Sequence, residues 1–339
     1  MTPPCAIDHG PPPDPATRAF AADALRKRLA DLVRELPGAR RGRDPECVHR
    51  ARVACRRLRV VLDLFPDCFP RRRHDAWRRR IRDLGRGLGR ARDADVQIQF
   101  LTALLASLDD HRRRRGIRRL LLRRRQVRHR LQDEVRDALD AFTRHRVAED
   151  LDQARQRLSG HMHHTETTSS APELRRRASD TLGNLTRDLL IFDPDADHPE
   201  RSEALHAMRI AAKRLRYALE LFRPLTAPEA LADAIAALKS LQDHLGILHD
   251  ADVWLELLPE FLEKERRRCV KFFGHARAFP AIRTGAVFVE AAVLERRAAA
   301  HAAFLETWRP ISHAAYWDRL VQLLTPPAAE SPHPVPVLP

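Results

Sequence analysis

The chain has 339 residues, 44% of them hydrophobic, and sets 61 basic against 46 acidic residues for a formal charge of +15. Glycine (12) and tyrosine (2) are scarce while Ala, Leu and Arg dominate, the composition of a helical protein long enough for one large domain or two of ordinary size. Cys5, Cys47, Cys55, Cys68 and Cys269 form an odd, scattered set without C-x2-C spacing, which argues against a disulfide framework and a zinc site. No run of about 18 apolar residues occurs, and the Pro-rich start is not a basic-then-apolar leader, so a reduced, cytoplasmic protein with no membrane partner is expected.

In chain order, residues 1–15 hold six prolines and are expected to be a disordered tail. A first helix is predicted from about Ala16 to Leu36, stopped by Pro37-Gly38. Asp44-Pro45 caps a second that ends before Pro66. A third, about Arg71 to Leu88, ends at Gly89, and a fourth runs to about Leu108 with Asp93 at or near its cap. The segment 111–130, with 11 arginines in 20 residues, lies on a helix that continues with a break to about Leu158. Residues 159–172, polar and aperiodic, read as a linker in which His161, His163 and His164 are solvated. Further helices are predicted at about Glu173–Phe192, Ser202–Arg223, Pro228–Leu245, Asp250–Arg268, Ile282–Thr307 and Ser312–Leu324, before a Pro-rich tail at 326–339. No segment keeps a strand period, so the fold is expected to be all-α: a bundle of four or five antiparallel helices at 16–158, and a second at 173–325. Pseudo-twofold symmetry between them would bring equivalent helices together around a basic groove or pore.

The reason to expect that symmetry is an internal repeat. VHRARVACRRLRVVLDLF (Val48 to Phe65) returns as LHAMRIAAKRLRYALELF (Leu205 to Phe222). His49, Arg52, Arg56, Arg57, Arg59 and Phe65 recur 157 residues later as His206, Arg209, Lys213, Arg214, Arg216 and Phe222. At about 100° per residue, Arg52, Arg56 and Arg59 fall within roughly 80° of His49, with Arg57 on the other flank and Leu58, Leu62 and Phe65 opposite. Each copy is a helix with an apolar back and a cationic front that carries almost no acids, so the front calls for an external anion. Five of the basic residues are lysine and the rest arginine, whose fork pairs bidentately with phosphate. At the same offset Lys239 matches Arg82, and LGILHDADV matches LGRARDADV, pairing Asp93 with Asp250 and Asp95 with Asp252. Those aspartates read as caps or partners of neighbouring arginines, with a divalent metal site as the other reading.

These paired motifs resemble the CHAD family, the conserved-histidine α-helical domains, over about Ala16 to Leu324. The resemblance implies paired helical bundles whose basic groove binds inorganic polyphosphate, with no cofactor, and an association with polyphosphate granules and their proteins. It implies a binding role for His49, Arg52, Arg56, Arg57, Arg59, Arg82, His206, Arg209, Lys213, Arg214, Arg216 and Lys239. Some family members are joined to triphosphate tunnel enzymes, but that E-x-E-x-K signature is absent, since Glu263 and Glu265 are followed by Arg267, so a stand-alone, non-catalytic domain is expected. Two other functions fit the residues: nucleic-acid binding, against which stand the 6% aromatics and the lack of base-reading side chains in the stripes, and phosphoanhydride cleavage on the Asp-x-Asp pairs. Protonated His49 and His206 would strengthen anion binding below about pH 6.5. The 111–130 arginines could extend the anion track.

Overall fold

The computed structural model describes residues 13–159, 172–227 and 229–325. The expected tails beyond residues 13–15, the interior of the expected linker with its three histidines, and Pro228 lie outside them. The described residues form ten α-helices and no strand: α1 (Pro15–Arg41), α2 (Pro45–Leu64), α3 (Arg71–Ala106), α4 (His111–Arg144), α5 (Val147–Ser159), α6 (Pro172–Leu190), α7 (Ser202–Phe222), α8 (Ala232–Phe273), α9 (Phe279–Trp308) and α10 (Ala314–Gln322).

Local chemistry explains most of the boundaries. The Asp14 carboxylate accepts from the N–H groups of Ala16 and Thr17, Asp44 accepts from Glu46, and Asp110 accepts from Arg112 and Arg113. Pro15 and Pro45 occupy first-turn positions where no N–H is needed. The expected stop at Pro37-Gly38 is overturned, because α1 runs on to Arg41 and ends where Gly42 takes φ +66°. Gly38 lies so close to Cys47 that a Cβ would sit 2.4 Å from its Sγ, so tight α1–α2 packing carries the helix through its proline.

The breaks expected at Gly89 and Gly246 are also absent. Helices α3 and α8 continue through them for 36 and 42 residues, and α8 passes Pro259 as well. One glycine in a helix costs only about 1 kcal/mol, which the unbroken apolar stripe on either side offsets. At about 1.5 Å per residue these helices are roughly 54 and 63 Å long, and they run between two hydrophobic cores. The larger core gathers Leu25, Leu58, Leu62 and Leu88 with Leu215, Leu219, Leu241 and Phe304, so it draws on both halves of the sequence. The smaller one joins Leu101 of α3, Ile117 and Leu120 of α4, Trp254 and Leu258 of α8, and Val289 of α9. Between the cores α3 and α8 carry the two Asp-x-Asp segments, and polar side chains meet at mid-molecule.

Helices α1, α2, α3 and α4 pack in succession, as do α6, α7, α8 and α9; α2 meets α7, and α4 meets α9. The α4–α9 crossing depends on Gly116 and Gly285, where a Cβ on Gly116 would lie 2.5 Å from the Ile282 carbonyl oxygen and 2.7 Å from the Gly285 Cα. Where α2 and α7 converge, Phe65 and Phe222 are fully buried against Phe20.

Candidate functional site: a cationic cleft between α2 and α7

The two cationic fronts face one another. Arg52, Arg56 and Arg59 of α2 and His206, Arg209, Lys213 and Arg214 of α7 line one open cleft of about 1390 Å³, counted out to its mouth. Arg52, Arg56 and Arg59 also line a second cleft of about 680 Å³ between α2 and α3, shared with Arg82, Arg86, Arg90 and Asp93. The cationic face of α2 therefore opens on both sides.

At the centre the groups disturb one another. Burial first, and then the neighbouring cations, hold the Arg52 guanidinium below the usual arginine range, and burial does the same to Arg209, which also feels Arg52 and Arg56. The Lys213 ammonium is pushed down to about 6, first by burial and then by Arg209, Arg56 and Arg52. Arg209 Nε and His206 Nδ1 are buried without a hydrogen-bond partner in the protein. Opposing them, Asp93 lies 3.8 Å from Arg52, and burial raises the Asp250 carboxyl although Arg209 draws it back. Even with Lys213 largely uncharged at neutral pH, Arg52, Arg56 and Arg209 outnumber the two carboxylates and leave the centre cationic.

Gly89 and Gly246, one turn before the first aspartates, border this centre. A Cβ on Gly89 would touch Arg52 Nε at 3.6 Å, and one on Gly246 would touch Arg209 Nη2 at 3.6 Å. Each long helix thus presents a bare backbone to the arginine that faces it. The second aspartates point elsewhere, as partners of arginine: Asp95 accepts from Arg128 at 2.7 Å, and Asp252 accepts from Arg297 at 3.0 Å. No group of three His, Cys, Asp or Glu able to hold a metal occurs among the described residues. The expectation of Asp93 and Asp250 as helix caps is overturned, since both lie inside continuous helices.

The histidines take unequal surroundings. His206 packs on His249, ring centroids 4.4 Å apart, and burial with Arg209 and Lys213 lowers its pKa. His249 is pushed down to about 4, first by burial and then by Arg209. Burial and then Arg92 lower His49 as well, and Arg92 occupies the repeat position of His249. In the free protein burial and the neighbouring cations thus disfavour the protonated forms of His49 and His206 on which the sequence expectation relied.

Other predicted positions are committed differently. Arg57 pairs with Glu220 at 3.0 Å, and Arg216 holds the same carboxylate at 2.8 Å while donating to Gln242 and stacking 4.7 Å over the Tyr217 ring. These two arginines join α2 to α7 and α8 and do not line the cleft. Lys239 is exposed on α8 and lines neither cleft, whereas its counterpart Arg82 lines the smaller one. His249 and Tyr217, whose hydroxyl accepts from Arg56 at 3.3 Å, line the central cleft, Asp93 lines the smaller one and Asp250 faces Arg209; the stripe pattern did not single out these four. The fixed offset of the D-A-D segments was the available signal for the aspartates.

The model of the CHAD domain family matches residues 23–259. The crystal structure of the CHAD domain from the plant Ricinus communis is 25% identical, covering 91% of this chain and 95% of that one with a TM-score of 0.62. PptA from Streptomyces chartreusis has the same fold at a TM-score of 0.55, covering 86% of this chain and 99% of its own, with 18% identity. Two uncharacterized proteins of Mycobacterium tuberculosis, MT2285 of strain CDC 1551 / Oshkosh and Rv2226 of strain ATCC 25618 / H37Rv, are each 30% identical over 219 residues. That stretch is 64% of this chain but 41% of theirs.

Proposed function

The chain belongs to the CHAD domain family, and from that membership together with the cleft we propose that it binds inorganic polyphosphate without cleaving it, as a scaffold or granule-targeting protein. The observation that carries the proposal is the crowding of Arg52, Arg56, Arg209 and Lys213 in one cleft, with Lys213 pushed down to about 6. Burial, and after it mutual repulsion, disfavours these charges until a polyanion enters, so binding relieves a cost that folding has built in. A phosphate chain is featureless, so recognition needs fixed cations from both helices and no base-reading groups. Each charge-assisted contact adds on the order of 1.5–3 kcal/mol, and counterion release makes affinity fall with salt.

Competition and chain-length measurements test this. Long-chain polyphosphate should hold the protein against duplex DNA at equal phosphate concentration, and displacement by DNA would replace the proposal with nucleic-acid binding. The polymer should keep its length on incubation with Mg²⁺ or Mn²⁺; shortening would make the protein an enzyme. In phosphate-rich cells a fluorescent fusion should mark granules only where polyphosphate is made, and diffuse signal would remove granule targeting.

A further inference from the structure

The 111–130 arginines do not prolong the central cleft. Arg115, Arg119 and Arg123 of α4 instead line a different one, of about 1580 Å³ counted to its mouth, against the end of α8 and the start of α9. It shares no lining residue with the central cleft. We propose that this second cleft binds an amphipathic anion, an acyl chain bearing a phosphate or carboxylate head.

The head site is fixed by one buried acid. Glu265, with no exposed side-chain surface, accepts from Arg119 Nε at 2.5 Å, from Arg123 Nε at 2.6 Å and from Arg268 Nη1. Three guanidinium groups around one carboxylate leave a net positive charge and free N–H groups, and Glu265 holds those forks in place. Lys271 and Arg277 add two further cations, and no carboxylate lines the cleft. A planar fork presented in a fixed orientation suits a carboxylate or phosphate.

The remaining lining is apolar, which a bare polyphosphate does not need. Phe272 and Phe273 close α8 just before Gly274 turns the chain at φ +73°, and they are 81% and 55% exposed. Ala278, Ala281 and Ile282 continue the apolar surface on the α9 side. Exposed phenylalanines beside cations that outnumber the one buried carboxylate among them match a ligand that is apolar at one end and anionic at the other. A second copy of this chain would bring like charges together. The expectation of no membrane partner came from the lack of a spanning run, and indeed no described helix is long and apolar enough to cross a membrane. A lipid-sized cleft is a different feature, formed where α4 meets the α8–α9 turn, two segments distant in sequence.

The test uses the full chain and dodecyl phosphate at monomeric concentration, read by calorimetry, with inorganic phosphate as the head alone. Saturable dodecyl phosphate binding is expected, weakened by about tenfold in F272S/F273S because the apolar contacts are lost. Polyphosphate binding should be unchanged in that variant, and R52E/R209E should keep its dodecyl phosphate affinity. Both phenylalanines are exposed, so the fold is not at risk. Phosphatidylcholine vesicles with and without phosphatidylglycerol separate the sources: capture that needs the anionic lipid and both phenylalanines points to a bilayer headgroup, and its absence alongside dodecyl phosphate binding points to a free amphiphile. Absent binding, equal affinity in F272S/F273S, or loss only in R52E/R209E would overturn the proposal. The inference does not rest on the polyphosphate reading, and either can fail alone.

Discussion

Phe65 and Phe222, 157 residues apart at the same position of the repeat, meet edge to face with ring centroids 6.2 Å apart and planes at 69°. Phe20 of α1 closes the triangle at 5.9 and 6.0 Å. This joint fixes the ends of α2 and α7 and hence the separation of their cationic fronts. Phe65→Ala should destabilise the chain by about 3–5 kcal/mol, the range for emptying a buried aromatic site. Urea unfolding measures it, and a loss under about 1 kcal/mol would mean that the joint is not part of the core.

Lys213 should make binding proton-linked. Its ammonium titrates at about 6 in the free protein, and an unfolded lysine titrates near 10.4. Between those values the unfolded chain holds the extra proton, so Lys213 makes the free protein more stable as pH rises through that window. A bound polyanion restores the charge, so binding at pH 7–8 should take up close to one proton, and affinity should fall as pH rises. Calorimetry in buffers of different ionisation enthalpy reads the uptake. Lys213→Arg, charged throughout, should remove most of it; equal uptake in both proteins would assign the effect elsewhere.

Glu265 should govern part of the acid stability. Burial alone would raise its carboxyl, but hydrogen bonds from Arg123, Arg119 and Arg268 outweigh it and hold the group below the usual range. An unfolded glutamate titrates near 4.3, so its contribution is complete above that pH and is lost as pH falls through the lower folded value. Glu265→Gln should cost about 1–3 kcal/mol at pH 7, less than the loss for a fully buried pair because the arginines still reach water. The difference from wild type should shrink below pH 4, and a constant difference across that range would contradict the ion-pair origin.

Glycines on the long helices should divide into two kinds. Gly89→Ala and Gly246→Ala place a methyl at ordinary contact distance from an arginine, so each should stabilise by about 0.5–1 kcal/mol. Gly116→Ala drives a methyl into the backbone of α9 and should destabilise by about 1–3 kcal/mol. Thermal melts of the three variants suffice, and a stable Gly116→Ala would mean that the α4–α9 crossing is looser than its geometry.

The cationic fronts were legible because helical periodicity tells which side chains share a face, and Arg52, Arg56, Arg209 and Lys213 do. Periodicity is silent about what arrives from other helices. Glu220 closes on Arg57 and Arg216 and takes them out of the cleft, although Glu220 sits within the repeat itself. The glycines misled for a related reason: Gly89, Gly246 and the Pro37-Gly38 pair read locally as stops, and only tertiary packing carries the helices through them. The second cleft was out of reach, since Glu265 gathers arginines from more than 140 residues away.

The central claim is that one cleft, furnished equally by α2 and α7, binds the polyanion. Measuring the affinity of long-chain polyphosphate for R52E/R209E, with circular dichroism as the check on folding, addresses it most directly. Binding should be abolished in the double variant while helicity is unchanged. Retained affinity in a folded double variant would contradict the claim and place the polyanion elsewhere on the molecule.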